Sequence, residues 1–153
     1  TGETVQITAF GPLGPTIVRW YAGNPGVATS LAVGSVLSIL RSATGRIFLA
    51  FLPSLETKAL VTKEARRAPI AKTEVDAIVR QVREAGRADV QGSIIPGLNA
   101  TAFPIFDLQG RATLAATLVR PSLLEDPQHE QAVDELGDIC RTISSGLGWS
   151  EAG

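Results

Sequence analysis

The sequence predicts an α+β domain, a mostly antiparallel sheet with helices packed on it. Three observations predict it. Two pairs of β-type runs, one at the N-terminus and one late in the chain, are each joined by a short glycine-containing break. Helical periodicity fills the stretch between them and the stretch after them. The resulting order, β-β-(β)-α-α-α-β-β-α, lacks the regular strand–helix–strand alternation that builds a parallel sheet.

The elements follow in order. Thr4 to Phe10 (TVQITAF) places Val5, Ile7 and Ala9 at alternate positions, which is strand period. Gly11 to Pro15 is a turn, and Thr16 to Ala22 a second strand, antiparallel to the first. Val36 to Leu40 suits a short strand. Arg46 to Leu52 (RIFLAFL) is apolar almost all round, so it reads as a buried helix. Pro53 stops it, and Ser54 suits the N-cap of a helix from Leu55 to about Ala65. Thr73-Glu74-Val75-Asp76 resembles a capping box with Asp in place of Glu. Val75, Ile78, Val79 and Val82 continue it at helical spacing, and Gly86 stands where a C-cap belongs. Asn99 to Phe106 and Arg111 to Val119 make a hairpin, with Gly110 at a positive-φ turn position. Asp126 suits an N-cap and Pro127 a first turn. Val133, Leu136, Ile139, Cys140, Ile143 and Leu147 then form one apolar stripe.

Composition limits the function classes. The 153 residues are 44% hydrophobic and 19% charged, which suits one globular domain with its own core. No apolar run reaches membrane-spanning length, and no basic-then-apolar leader opens the chain. The one cysteine cannot form an internal disulfide. A cytoplasmic location follows as the expectation. The net charge of −1 lacks the basic excess of a domain that grips DNA. Lys63, Arg66, Arg67 and Lys72 suit solvated helix ends. The absence of methionine suits a piece cut from a longer protein, or loss of an initiator methionine ahead of Thr1.

Catalytic and metal chemistry find no pattern here. His129 stands alone in the first turn of the last helix, and Cys140 lies on that helix's apolar stripe, where a free cysteine acts as a small hydrophobe. There is no metal-type spacing, phosphate loop, nucleophile elbow or dinucleotide fingerprint. No cofactor is expected. Ser42-Ala43-Thr44-Gly45 is more informative. It stands at the entrance to the buried helix, where backbone N–H groups lack intrahelical partners and the peptide dipoles leave partial positive charge. Small side chains there let a carboxylate or phosphate approach the backbone. The plain alternative is a capped helix start with Ser42 or Thr44 satisfying its own backbone. The hairpin offers a second wall. One face of its return strand carries Thr113, Ala115, Thr117 and Val119, and the other Ala112, Leu114, Ala116 and Leu118. Small residues leave room for a ligand, or simply pack under helices.

Taken together, RSATGRIFLAFLP and IIPGLNATAFPIFDLQGRATLAATLVRP resemble the effector-binding domain of IclR-type bacterial transcription regulators. The likeness covers nearly the whole chain, through its order of small-residue turn, apolar helix, Pro-Gly approach and Gly turn. It implies a GAF-like domain over residues 1–153: a curved antiparallel sheet, flanking helices and a pocket on one sheet face. It also implies a winged helix-turn-helix DNA-binding domain, N-terminal to this one and absent from the chain. Dimers or tetramers, and a small organic acid as effector, aromatic acids included, are further implications. Carried onto this sequence, the pocket would be lined by Leu37, Ala43, Thr44, Leu98, Ala100, Thr117 and Val119. The Ala43 and Thr44 amides would receive the acid group, aided by the Thr117 hydroxyl. There are departures. Gln91-Gly92-Ser93 stands where an acidic residue is common in the family, and Ala100 and Val119 stand at positions that can be polar. Both favour a larger or more apolar ligand over small polar keto-acids.

Two other classes remain open from sequence: a small enzyme acting on organic acids through Asp107 or His129, and an oligomerisation module with a filled core and no ligand. At a hairpin corner, Asp107 is also suited to plain turn hydrogen bonding.

Overall fold

A computed structural model describes residues 2–151 apart from 25, 28, 93, 94 and 123–126. The chain opens with the hairpin β1 (Thr4–Gly11) and β2 (Gly14–Tyr21). Three helices follow: α1 (Ala43–Phe51), α2 (Ser54–Arg67) and α3 (Lys72–Ala85). Then come β3 (Ala88–Gln91), β4 (Leu98–Phe106), β5 (Ala112–Pro121) and α4 (His129–Gly146). The five strands form one sheet in the order β2-β1-β5-β4-β3, and every neighbouring pair is antiparallel. The α+β class is therefore as expected.

Helices cover both faces of the sheet. Ile47 and Phe48 of α1 pack on Ala88, Val90, Ala102, Ala112 and Ala115. Outside α1, its Leu49 with Ile39 and Leu40 meets half-buried side chains of α2 and α3, among them Leu60, Val75 and Val79. On the opposite face, Val133, Leu136 and Cys140 of α4 close over Phe103, Ile105, Ala116 and Leu118. Each fully buried large apolar side chain contributes about 1.5–3 kcal/mol, so both layers stabilise the sheet.

Several local expectations are corrected. Val36 to Leu40 forms no strand. Val36 makes one isolated bridge to Thr16, and the Ile39 and Leu40 amides turn instead to the Glu64 carboxylate of α2. Ser54 is already helical, and Pro53 occupies the cap position of α2 with no side-chain bond. Thr73 likewise lies inside α3, which begins at Lys72. The strand β3 was not anticipated. Pro127 precedes α4, whose cap position is Gln128, and Asp126 lies outside the described residues. The α4 stripe divides: Val133, Leu136 and Cys140 are buried, whereas Ile139, Ile143 and Leu147 are 52%, 43% and 48% exposed. Ala112 packs on the α1 side rather than with Leu118, because the β4–β5 register shifts beside it at Phe106. Gly86 does end α3 in the left-handed region, φ 69°, a conformation glycine adopts without strain.

Candidate ligand-binding site

The site grows from the turn that launches α1. Ser42 is the N-cap: its Oγ accepts from the Gly45 N–H at 2.8 Å and donates to the Ser38 carbonyl at 2.6 Å. The turn is held from outside by Glu64. Its carboxylate accepts from Ser38 Oγ at 2.7 Å, from the Ile39 N–H at 2.7 Å and from the Leu40 N–H at 3.1 Å. Gly45 is required by close approach, since a Cβ there would stand 2.0 Å from the Ser38 carbonyl oxygen. The Ala43 and Thr44 N–H groups find no acceptor among the described residues. They are the unpaired amides of a nine-residue helix, at its positive end.

Opposite this tip stand the strands. Six of the seven predicted residues, Leu37, Ala43, Thr44, Leu98, Ala100 and Val119, line one cavity of about 50 Å³. Its walls are otherwise Gln6, Leu31, Ser42, Val90 and Ile95. Thr117 is not part of the lining. It is fully buried, and its hydroxyl meets that of Thr44 at 2.6 Å, so it holds the helix tip against β5. The hollow is open to solvent on one side, and its volume is well below the ~150 Å³ that accepts benzene in an apolar protein interior. Half-buried Leu31, Ile95 and Leu98 rim the cavity.

Sequence reasoning missed Gln6. The apolar set of TVQITAF, with Val5 and Ile7, looks toward α4, and the polar set Thr4, Gln6 and Thr8 is the more deeply buried. Gln6 Nε2 donates to Thr44 Oγ1 at 3.2 Å. Its Oε1 is buried and accepts nothing, and the Thr8 hydroxyl is also buried without a partner. Only a sheet covered on both faces makes those polar positions interior, and no local pattern announces that.

The alternative chemistry does not assemble. Asp107 Oδ1 accepts from the Gln109 and Arg111 amides, the turn role. His129 is half-buried in a separate polar cleft with Arg87, Asp89, Arg120 and Glu130. Burial pushes the Cys140 thiol up to about 12, outweighing the opposite pull of Arg141. Among the described residues no group of His, Cys, Asp and Glu is arranged to hold a metal, and no helix is long and apolar enough to cross a membrane.

Comparison with known proteins agrees in fold and family. The family described as bacterial transcriptional regulator IclR C-terminal matches residues 1–145. The crystal structure of Pseudomonas aeruginosa HmgR is similar at 30% identity and TM-score 0.86, over 98% of this chain and 61% of that one. Thermotoga maritima IclR superposes with TM-score 0.78 at 20% identity, over 97% and 63%. An IclR transcriptional regulator from Alicyclobacillus acidocaldarius gives 0.78 at 21%, over 96% and 62%. The chain thus spans about three-fifths of these relatives. No curated protein matches it.

Proposed function

Since the chain belongs to the C-terminal domain family of IclR-type bacterial transcriptional regulators, a family of regulators and not of enzymes, we propose that it is the sensing part of such a regulator. Its cavity receives a small organic acid. The observation that carries this is the pair of unpaired amides, Ala43 and Thr44, at the positive tip of α1 beside an apolar hollow. A carboxylate there gains two charge-assisted hydrogen bonds, while Leu37, Leu98, Ala100 and Val119 cover its apolar part. The hollow also favours this reading over a filled oligomerisation module.

The effector acts by binding two conformations unequally. Bound, it ties the α1 tip to the strand ends at Leu98–Ala100 and at Val119. That closure changes how two or four copies pair, and with it the spacing of helix-turn-helix domains on DNA in the full-length cytoplasmic protein. As the cavity stands, an acid of few non-hydrogen atoms fills it. An aromatic acid requires the walls at Leu31 and Ile95 to part.

Thermal melting and calorimetry across two-carbon to aromatic acids test this. A bound acid raises the melting temperature, by mass action on the native state, and changes the operator affinity of the full-length protein. If no acid raises it, or if saturating ligand leaves DNA affinity untouched, the sensing role is lost.

A further inference from the structure

We propose that Gln6 is a specificity-determining residue of this cavity, and that it selects acids bearing a hydroxyl beside the carboxylate, the 2-hydroxy acids, over their 2-oxo counterparts. This rests on the sensing role just proposed and names the ligand class of the same site.

The argument is one of unmatched hydrogen-bonding groups. Gln6 is 97% buried, its relative exposure being 3%. Its carboxamide has donors on Nε2 and acceptor lone pairs on Oε1. The nitrogen is used, donating to Thr44 Oγ1 at 3.2 Å. The oxygen is not. A buried acceptor without a donor is unfavourable. No neighbouring hydroxyl donates to Oε1, and that of Thr8, on the same strand face, bonds nothing either. Thr44 and Thr117 share one bond at 2.6 Å, Ser42 serves the Gly45 amide and the Ser38 carbonyl, and Thr4 accepts from the Gly23 amide. A donor for Oε1 is therefore what an occupant of the cavity that Gln6 lines has to offer it.

The position of this acceptor sets the ligand's shape. Gln6 touches the side chain of Thr44, whose own N–H is one of the two free amides. A free donor pair and a free acceptor thus stand side by side at the same helix tip. Their complement is a carboxylate next to an O–H donor. A 2-hydroxy acid supplies both: its carboxylate faces the Ala43 and Thr44 amides, and its hydroxyl donates to Gln6 Oε1. A 2-oxo acid sets a carbonyl oxygen against Oε1, acceptor against acceptor. Sites built to bond a ligand hydroxyl discriminate strongly against analogues lacking it, because the protein group is left unpaired. The carboxamide is also uncharged, so it does not repel the acid. Three- and four-carbon members exceed about 50 Å³ and extend toward the cavity's open side.

The test is calorimetry on matched pairs, lactate against pyruvate and 2-hydroxybutyrate against 2-oxobutyrate. The hydroxy acid is expected to bind about tenfold tighter or more, the value of one hydrogen bond to a buried partner. In Gln6→Met and Gln6→Leu the preference should collapse to about twofold, with measurable acid binding retained and the melting temperature unchanged or raised. Equal or tighter binding of the oxo acids by the wild-type chain overturns the proposal, and so does a preference that survives in either variant. If neither variant folds, the wild-type pairs decide alone. Acids of another class binding while these pairs do not would overturn the ligand class and leave the sensing role standing. Failure of every acid overturns both.

Discussion

The two faces of the sheet are made from alternate residues of the same strands, yet they are furnished in opposite ways. Toward α4 the strands present Phe103, Ile105 and Leu118, and the helix answers with Val133, Leu136 and Cys140. That side is apolar and filled. Toward α1 the strands present Gln6, Thr8 and Thr117 among Ala100, Ala102 and Ala115. There the bulk comes from the helix, through Ile47 and Phe48, and a hollow remains at its tip. Buried polar groups without partners destabilise a fold. The α4 layer offsets that cost, so the fold tolerates a hollow on the α1 side.

Two glycines give the largest break in this comparison. In Gly45→Ala the new Cβ meets backbone, 2.0 Å from the Ser38 oxygen and 2.6 Å from Ile39 Cα. The turn cannot yield without losing the Glu64 bonds, so a loss above about 4 kcal/mol, or no folded protein, is expected in urea titrations. In Gly137→Ala the Cβ meets the edge of the Phe103 ring at 2.9 Å. The ring tilts, helix propensity recovers up to about 1 kcal/mol, and a net loss of about 1–2 kcal/mol is expected. Equal costs would show that the turn is no more rigid than the packed side.

The filled face is sharpened by Cys140. Its thiol, raised from 9.0 to about 12 by burial, titrates later in the folded chain than in the unfolded one. The protonated form therefore supports the fold fully below pH 9, and that support is lost as pH climbs toward about 12. Cys140→Ala should flatten the alkaline limb of a stability–pH curve measured by denaturant melts. Thiol reagents at pH 8 should label wild type only after urea is added, whereas fast native labelling would contradict a closed α4 layer.

The smallest effect is expected on the hollow face. Thr8→Val removes a buried hydroxyl that bonds nothing and keeps its shape. It should stabilise by about 1 kcal/mol, seen as a higher urea midpoint. A loss instead would place a bonded water at Thr8.

Much of this was legible in the sequence. The two hairpins, α1 and the Gly86 stop rest on local signals, periodicity and glycine at positive φ, and local signals survive folding. Leu37, Ala43, Thr44, Leu98, Ala100 and Val119 come together because the resemblance carried their order, which no spacing rule supplies. What escaped was decided at long range. Gln6 is interior only because α1 arrives from 38 residues away. Val36 to Leu40 has strand-like composition, but Glu64 claims its amides. Ile139, Ile143 and Leu147 continue an apolar stripe, and nothing in a stripe says where the sheet beneath it ends.

One carboxylate links the rim of the hollow to the outer surface. Three donors from Ser38, Ile39 and Leu40 converge on Glu64, in the last turn of a fourteen-residue rod. A pull on the first turn of α1 is thereby passed to α2 through short bonds. Ser54, at the far end of that rod, lies about 15 Å along the axis from Glu64, so a tilt set at one end is enlarged at the other.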